Sequence, residues 1–275
     1  MTSRPDFLPL GSGFVALGDS FASGPGIPVL IDVERGRSDG NYPHLVAAEL
    51  GLALTDATCR GASLEDMIDI PESAGVRGAP LPRQVDSLLP DTRLVTITAG
   101  GNDVGFVAAL RTWSAVHAAE RGQLPHGRGS LTSPPPEPVD RARVEESLRG
   151  VAPRLGDLVT AVRVHAPGAR VVLVDYLTVL PPQGVEVPEA PLTPDEQEFL
   201  WHVAHTLEDV TATVAREHGA LLVQASRASR EHHAGSPEPW VEGFFPGLNV
   251  PPYHPDAAGH LAMSNLVVEA LTATS

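Results

Sequence analysis

A chain of 275 residues, 42% of them hydrophobic, is long enough to bury most of its unfolded surface, so it needs neither disulfides nor a metal to hold a core. Its 19 Lys+Arg against 34 Asp+Glu give a net charge of −15 with histidines neutral, which argues against broad binding to nucleic acid or an anionic membrane, since both need a basic face. The one cysteine, Cys59, has no intramolecular partner, no apolar run is long enough to span a bilayer, and Met1–Gly13 lacks a signal-peptide core; a cytoplasmic protein is expected unless a leader was removed, in which case it is secreted.

Phe14-Val15-Ala16-Leu17 predicts a first strand, closed by the turn residues Gly18-Asp19-Ser20. Tyr42 to Leu50 predicts a helix stopped by Gly51, and Leu52 to Thr58 a second strand. Arg93 to Thr98 is a β-branched third strand running into Ala99-Gly100-Gly101-Asn102-Asp103. Val104 to Ala119 follows as a helix. Gly122 to Pro138, rich in Pro, Gly and Ser, predicts a mobile loop. Val139 to His165 predicts a helix kinked at Pro153. Arg170 to Asp175 is a fourth strand, apolar throughout as expected when both sheet faces are covered. Thr193-Pro194-Asp195-Glu196 is a capping box with Pro at the first helical position. Phe199, Val203, Leu207, Val210 and Val214 continue that helix to Gly219. Ala220 to Val223 is a fifth strand, Arg227 to Pro252 is irregular, and a last helix runs from about Asp256 to Leu271. Strands alternating with helices predict an α/β fold with a parallel sheet, in one domain over residues 1–275.

In such a sheet, sites lie beyond the carboxyl ends of the strands. Ser20 follows the first strand, where a hydroxyl can be held at the sheet mouth. Gly61, after the second, can bring a backbone amide close to a ligand. Asn102, after the third, can donate its side-chain amide to a developing oxyanion. His254, fixed between Pro252 and Pro255, can act as a general base. Each position alone also fits a turn or a surface residue. The His202/His205 and His232/His233 pairs lack further ligands and are read as solvated rather than metal-binding. No Gly-x-Ser-x-Gly elbow and no phosphate-binding glycine loop is present.

Taken together, GDSFASG, TCRGAS, TAGGND and YHPDAAGH, spread over residues 18–260, resemble the SGNH hydrolase family, the GDSL-like esterases and lipases, and most closely its actinobacterial secreted branch. Arg37-Ser38, Asn41-Tyr42-Pro43 and Pro239-Trp240 match that branch as well. The resemblance implies a three-layer α/β/α sandwich around a five-stranded parallel sheet, flavodoxin-like in order. It implies hydrolysis of carboxylic esters through an acyl-enzyme on Ser20, with His254 as base and with Ser20, Gly61 and Asn102 around the oxyanion. No cofactor or metal is implied. The expected partner is a small-molecule or lipid ester, with no nucleic acid and no stable membrane insertion, acting on a monomer. Acyl transfer or deacetylation of a sugar or secondary metabolite would use the same acyl-enzyme. A binding module without turnover would be expected to lose Ser20 or His254, and both are present.

The sequence departs from the family at two points. Secreted relatives usually carry several disulfides, whereas Cys59 stands alone and Arg35 lies near where a partner would be expected. Most members also place an Asp three residues before the catalytic His; that position here is Pro251. Some members of the branch use a main-chain carbonyl at this spacing, so the Pro251 carbonyl is the expected acceptor of the imidazole Nδ1 proton. Asp256 is the competing candidate, and it also sits well to cap the last helix.

Overall fold

The computed structural model describes residues 5–69, 82–123, 138–247 and 250–273. Most of the expected loop at 122–138 falls outside them. Five parallel strands form the central sheet: β1 (Gly13–Gly18), β4 (Ala53–Asp56), β5 (Leu94–Thr98), β6 (Arg170–Val174) and β7 (Leu221–Val223), in the spatial order β4-β1-β5-β6-β7. Every pairing is parallel, as the alternation of strands and helices predicts. The inner strands β5 and β6 and the strand β1 are buried almost end to end. The edge strand β4 alternates between exposed and half-buried positions, which fits a strand paired on one side only.

Helices cover the sheet in two groups. On one side α2 (Tyr42–Leu50) packs against α8 (Ala257–Ala273); on the other α5 (Arg141–His165) packs against α6 (Pro194–Glu217) and α3 (Leu64–Ile68). The buried stripe of α6 is Leu200, Val203, Leu207, Thr211 and Val214; Phe199 and Val210 are only half-buried. Its Thr193–Glu196 capping box forms in both directions. The helix α5 continues through Pro153, because its stripe Leu148, Val151, Leu155, Leu158, Val159 and Val162 is buried across that point. No helix among the described residues is long and apolar enough to cross a membrane.

Among the described residues, six short elements lie outside the expected pattern: the two strands of the hairpin β2–β3 (Leu30–Asp32, Arg37–Ser38), α3, the single turns α1 (Ser20–Ser23) and α7 (Ala225–Ala228), and a 3-10 turn at Gln84–Ser87. They are too short for hydrophobic periodicity to register. For α3 a signal existed in the capping box Ser63–Asp66.

The order of the sheet creates its active end. The chain's second sheet strand lies on one side of β1 and its third on the other, so connections leave β1 in opposite directions and open a crevice at its carboxyl end. The last helix begins beside that crevice. There Gly259 is buried in the first turn of α8, and a Cβ would overlap the Trp240 carbonyl. Gly259→Ala is expected to cost about 1–3 kcal/mol of stability. Thermal unfolding should show a fall of several degrees in Tm; an unchanged Tm would contradict this packing.

Candidate active site

Gly18 ends β1 under tight constraint. A Cβ there would meet the Thr98 carbonyl and Ala22 at 2.9 Å. The buried Gln84 side chain clamps both its backbone groups: Gly18 N–H donates to Gln84 Oε1 at 2.7 Å, and Gln84 Nε2 donates to the Gly18 carbonyl at 2.9 Å. Asp19 N–H then donates to the Thr98 carbonyl on β5 at 3.1 Å. Asp19 caps the short helix α1 by accepting from Phe21 N–H at 2.8 Å. Ser20 is therefore held at the crevice by fixed backbone on both sides, and is 7% exposed.

His254 comes from the far end of the chain. The antiparallel bridge Val241–Pro255 and the bond from Glu242 N–H to the His254 carbonyl at 2.8 Å hold its backbone. Tyr253 beside it is fully buried, with its hydroxyl 2.5 Å from Ser114 Oγ on α4 (Phe106–Glu120). His254 Nε2 lies 2.8 Å from Ser20 Oγ. Its Nδ1 lies 2.8 Å from the Pro252 carbonyl. A carbonyl only accepts, so Nδ1 carries the proton and Nε2 is free to take one from Ser20.

The acceptor of the Nδ1 proton differs from the expected Pro251. Tyr253 adopts φ 63°, in the left-handed region, and this reversal curls the Pro252 carbonyl back under the ring. Pro251 instead packs its ring against the Gly26 turn, where a Cβ would stand 2.8 Å from it. Asp256 points elsewhere too: its Oδ1 accepts from Gly259 N–H at 2.8 Å and caps α8. Burial pushes the His254 imidazole down to about 4, and the nearby Arg111 charge acts in the same direction, against the Pro252 bond.

The other two expected residues lie on loops clipped to each other. Asn102 Nδ2 donates to the Ala62 carbonyl at 3.0 Å, and the Asp103 carboxylate accepts from Leu64 N–H at 3.1 Å. Gly61 adopts φ 78° on the exposed outer side of this loop, with open space where a side chain would be. Asn102 is likewise exposed. Cys59, two residues before Gly61, is buried, and burial raises its thiol. Beside it the Arg35 carbonyl accepts from Arg60 N–H at 2.9 Å, so the segment is tied by backbone hydrogen bonding.

Sequence reasoning missed the supporting residues Pro252, Gln84, Asp19 and Tyr176. Tyr176 donates to Asp19 Oδ2 at 2.6 Å. Its place just beyond the carboxyl end of β6 was the one available signal. As a whole, the arrangement offers a buried hydroxyl beside a neutral imidazole of fixed tautomer, next to two loops that carry amide donors.

The GDSL-like Lipase/Acylhydrolase family matches residues 16–262. Lipase 2 of Streptomyces coelicolor is 31% identical over 94% of this chain and 85% of its own. A lipase of Streptomyces rimosus is 28% identical over 90% of this chain and 81% of its own. Among solved structures, phospholipase A1 from Streptomyces albidoflavus NA297 superposes with a TM-score of 0.70 at 26% identity, covering 94% of this chain and 98% of that one. The extracellular lipase from Streptomyces rimosus gives 0.69 at 24% identity, covering 94% and 100%, a likeness of fold. With the family matched over nearly its whole length, the chain belongs to the GDSL-like lipase/acylhydrolase family of ester-bond hydrolases.

Proposed function

We propose that the protein hydrolyses carboxylic esters as a single catalytic unit, with Ser20 as nucleophile and His254 as general base. The observation that carries this reading is the 2.8 Å contact between Ser20 Oγ and His254 Nε2, with Nδ1 bonded to a carbonyl. As Ser20 Oγ bonds to the acyl carbon, its proton passes to His254 Nε2 and the carbonyl oxygen becomes an oxyanion. The backbone N–H groups of Ser20 and Gly61 and the Asn102 amide donate to that oxyanion. His254 then gives its proton to the leaving alcohol, which departs and leaves the acyl group on Ser20. Water repeats the sequence, losing a proton to His254, and releases the acid and the free serine.

Apolar residues next to the site support a hydrophobic ester. Val29, Leu30, Ile31 and Val33 are all exposed on or beside the β2–β3 hairpin, whose leading turn at Gly26 presses on Pro251. The curated relatives named lipase fit the same reading. Assaying p-nitrophenyl esters of rising chain length, with a phospholipid and an acetylated sugar alongside, tests it. Activity that rises beyond acetate is expected; turnover of the acetylated sugar alone would contradict it.

The pH dependence follows from His254. The base works when neutral, and its imidazole sits at about 4 rather than 6.5. The neutral fraction therefore stays high on lowering the pH and is lost only as pH falls through about 4. Asp19, pushed up to about 7 by burial, titrates earlier and adds a partial step there. The kcat/KM profile for an uncharged ester is expected to step down through about 7 as Asp19 protonates, to hold a lower plateau at pH 5.5, and to lose that plateau near 4. Complete loss along a single limb centred near 6.5 would contradict the assignment.

A further inference from the structure

Tyr176 lies two residues beyond Val174, the last residue of β6, and its hydroxyl joins two turns of the site. Gly101 N–H donates to Tyr176 Oη at 2.8 Å. Tyr176 Oη–H donates to Asp19 Oδ2 at 2.6 Å, and Asp19 Oδ1 accepts from Phe21 N–H at 2.8 Å. The directions are forced. An amide N–H can only donate, so the hydroxyl accepts from Gly101 and has one proton left, which goes to Asp19. Both Asp19 oxygens are then acceptors, which suits a carboxylate and opposes the effect of burial. Burial, and after it the Asp19 charge, push the Tyr176 phenol well up, so the hydroxyl keeps its proton.

The contacts around the hydroxyl are equally close. A Cβ on Gly101 would stand 3.0 Å from Tyr176 Cζ, so that glycine is what lets the turn rest on the ring. The Phe21 ring meets Tyr176 edge-on at 5.0 Å and lies 5.5 Å from the His254 ring. One hydroxyl therefore touches the residue before Ser20 and the residue before Asn102. Nothing in the hydrolysis described above uses it chemically.

We propose that Tyr176 is a positioning residue: by bonding Gly101 N–H and the Asp19 carboxylate at once, it fixes the Asn102 amide relative to Ser20. This rests on the assignment of those two residues in the proposed ester hydrolysis. The requirement is strict, because an oxyanion donor must lie about 2.7–3.1 Å from where the charge develops. A displacement of about 1 Å can cost about 100-fold in rate. Substrate binding before that charge exists does not draw on the same alignment.

Tyr176→Phe removes one oxygen and keeps the ring against Phe21. The expected result is a fall in kcat of about 10–100-fold with KM within about twofold. Asp19→Asn is the second variant, for the case that Tyr176→Phe folds poorly. It leaves one acceptor oxygen for two donors, Tyr176 Oη–H and Phe21 N–H, and should lower kcat in the same way. The decisive measurement is a double-mutant cycle. In an Asn102→Ala background, Tyr176→Phe should add less than about threefold, because the hydroxyl acts through Asn102. Losses that simply multiply would overturn the proposal, as would a raised KM with unchanged kcat, or a kcat within twofold of the parent. Ser20→Ala, assayed in parallel, reads the underlying assignment separately: retained activity there overturns the nucleophile and this proposal with it.

Discussion

Ser20→Ala is expected to lower kcat by about 10⁴–10⁶-fold while leaving the thermal transition essentially unmoved. The size follows from the chemistry: without Oγ no acyl-enzyme forms, and only binding and the oxyanion donors remain to assist water. The unchanged stability follows from packing. Among the described residues Ser20 Oγ bonds only His254 Nε2, and the turn around it is held by the Gln84 clamp, the Asp19 cap and the Thr98 carbonyl, none of which involves the hydroxyl. Steady-state kinetics on a p-nitrophenyl ester and a melting curve check both halves. Activity within tenfold of the parent would remove Ser20 as nucleophile. A large loss of Tm would mean that the inactivity was structural.

Asn102→Ala comes next in size, with an expected fall in kcat of about 10²–10³-fold and little change in KM. The side-chain amide has two N–H groups. One donates to the Ala62 carbonyl at 3.0 Å, which fixes the plane of the amide and leaves the other free at an exposed position. Charge on the substrate oxygen appears only in the transition state, so a donor aimed there changes kcat more than binding. Asn102→Asp removes both functions at once, since a carboxylate can neither donate to the oxyanion nor bond the Ala62 carbonyl, and it brings a repelling charge. It should be at least as damaging as Ala. A loss below about threefold in either variant would show that the amide does not face the reacting oxygen.

Much of the fold was legible because its signals are long and repetitive. The strands at Phe14–Leu17, Arg93–Thr98 and Arg170–Asp175 are apolar runs that end in turn residues, and the sheet buries all three. The capping box at Thr193 and the stop at Gly219 bracketed α6 to within about two residues. The hairpin β2–β3 and α3 escaped because two to five residues cannot establish a period.

The candidate site was legible in part for a different reason. Ser20, Gly61 and Asn102 stand in short motifs beyond strand ends and His254 in one just ahead of the last helix, and a motif needs no long-range geometry to be read. What holds them does. Which carbonyl meets His254 Nδ1 depends on one backbone angle, the φ of 63° at Tyr253, and the spacing of residues gives no access to that angle. Counting back three residues gave Pro251, whereas the turn delivers Pro252. Gln84 and Tyr176 act across 66 and 157 residues of chain on Gly18 and Asp19. Their hydrogen bonds exist only once β1, β5 and β6 lie side by side.

The central claim is an acyl-enzyme on Ser20 whose formation depends on His254. The most direct measurement is covalent trapping with a p-nitrophenyl alkylphosphonate, which places a phosphonyl group on an activated serine as p-nitrophenolate leaves. Peptide mass spectrometry locates the adduct, and released p-nitrophenolate gives the rate. The account predicts one label per chain, carried by Ser20, with labelling abolished in Ser20→Ala and slowed by several orders of magnitude in His254→Ala. A label on any other residue, or equal labelling rates with and without His254, would contradict it.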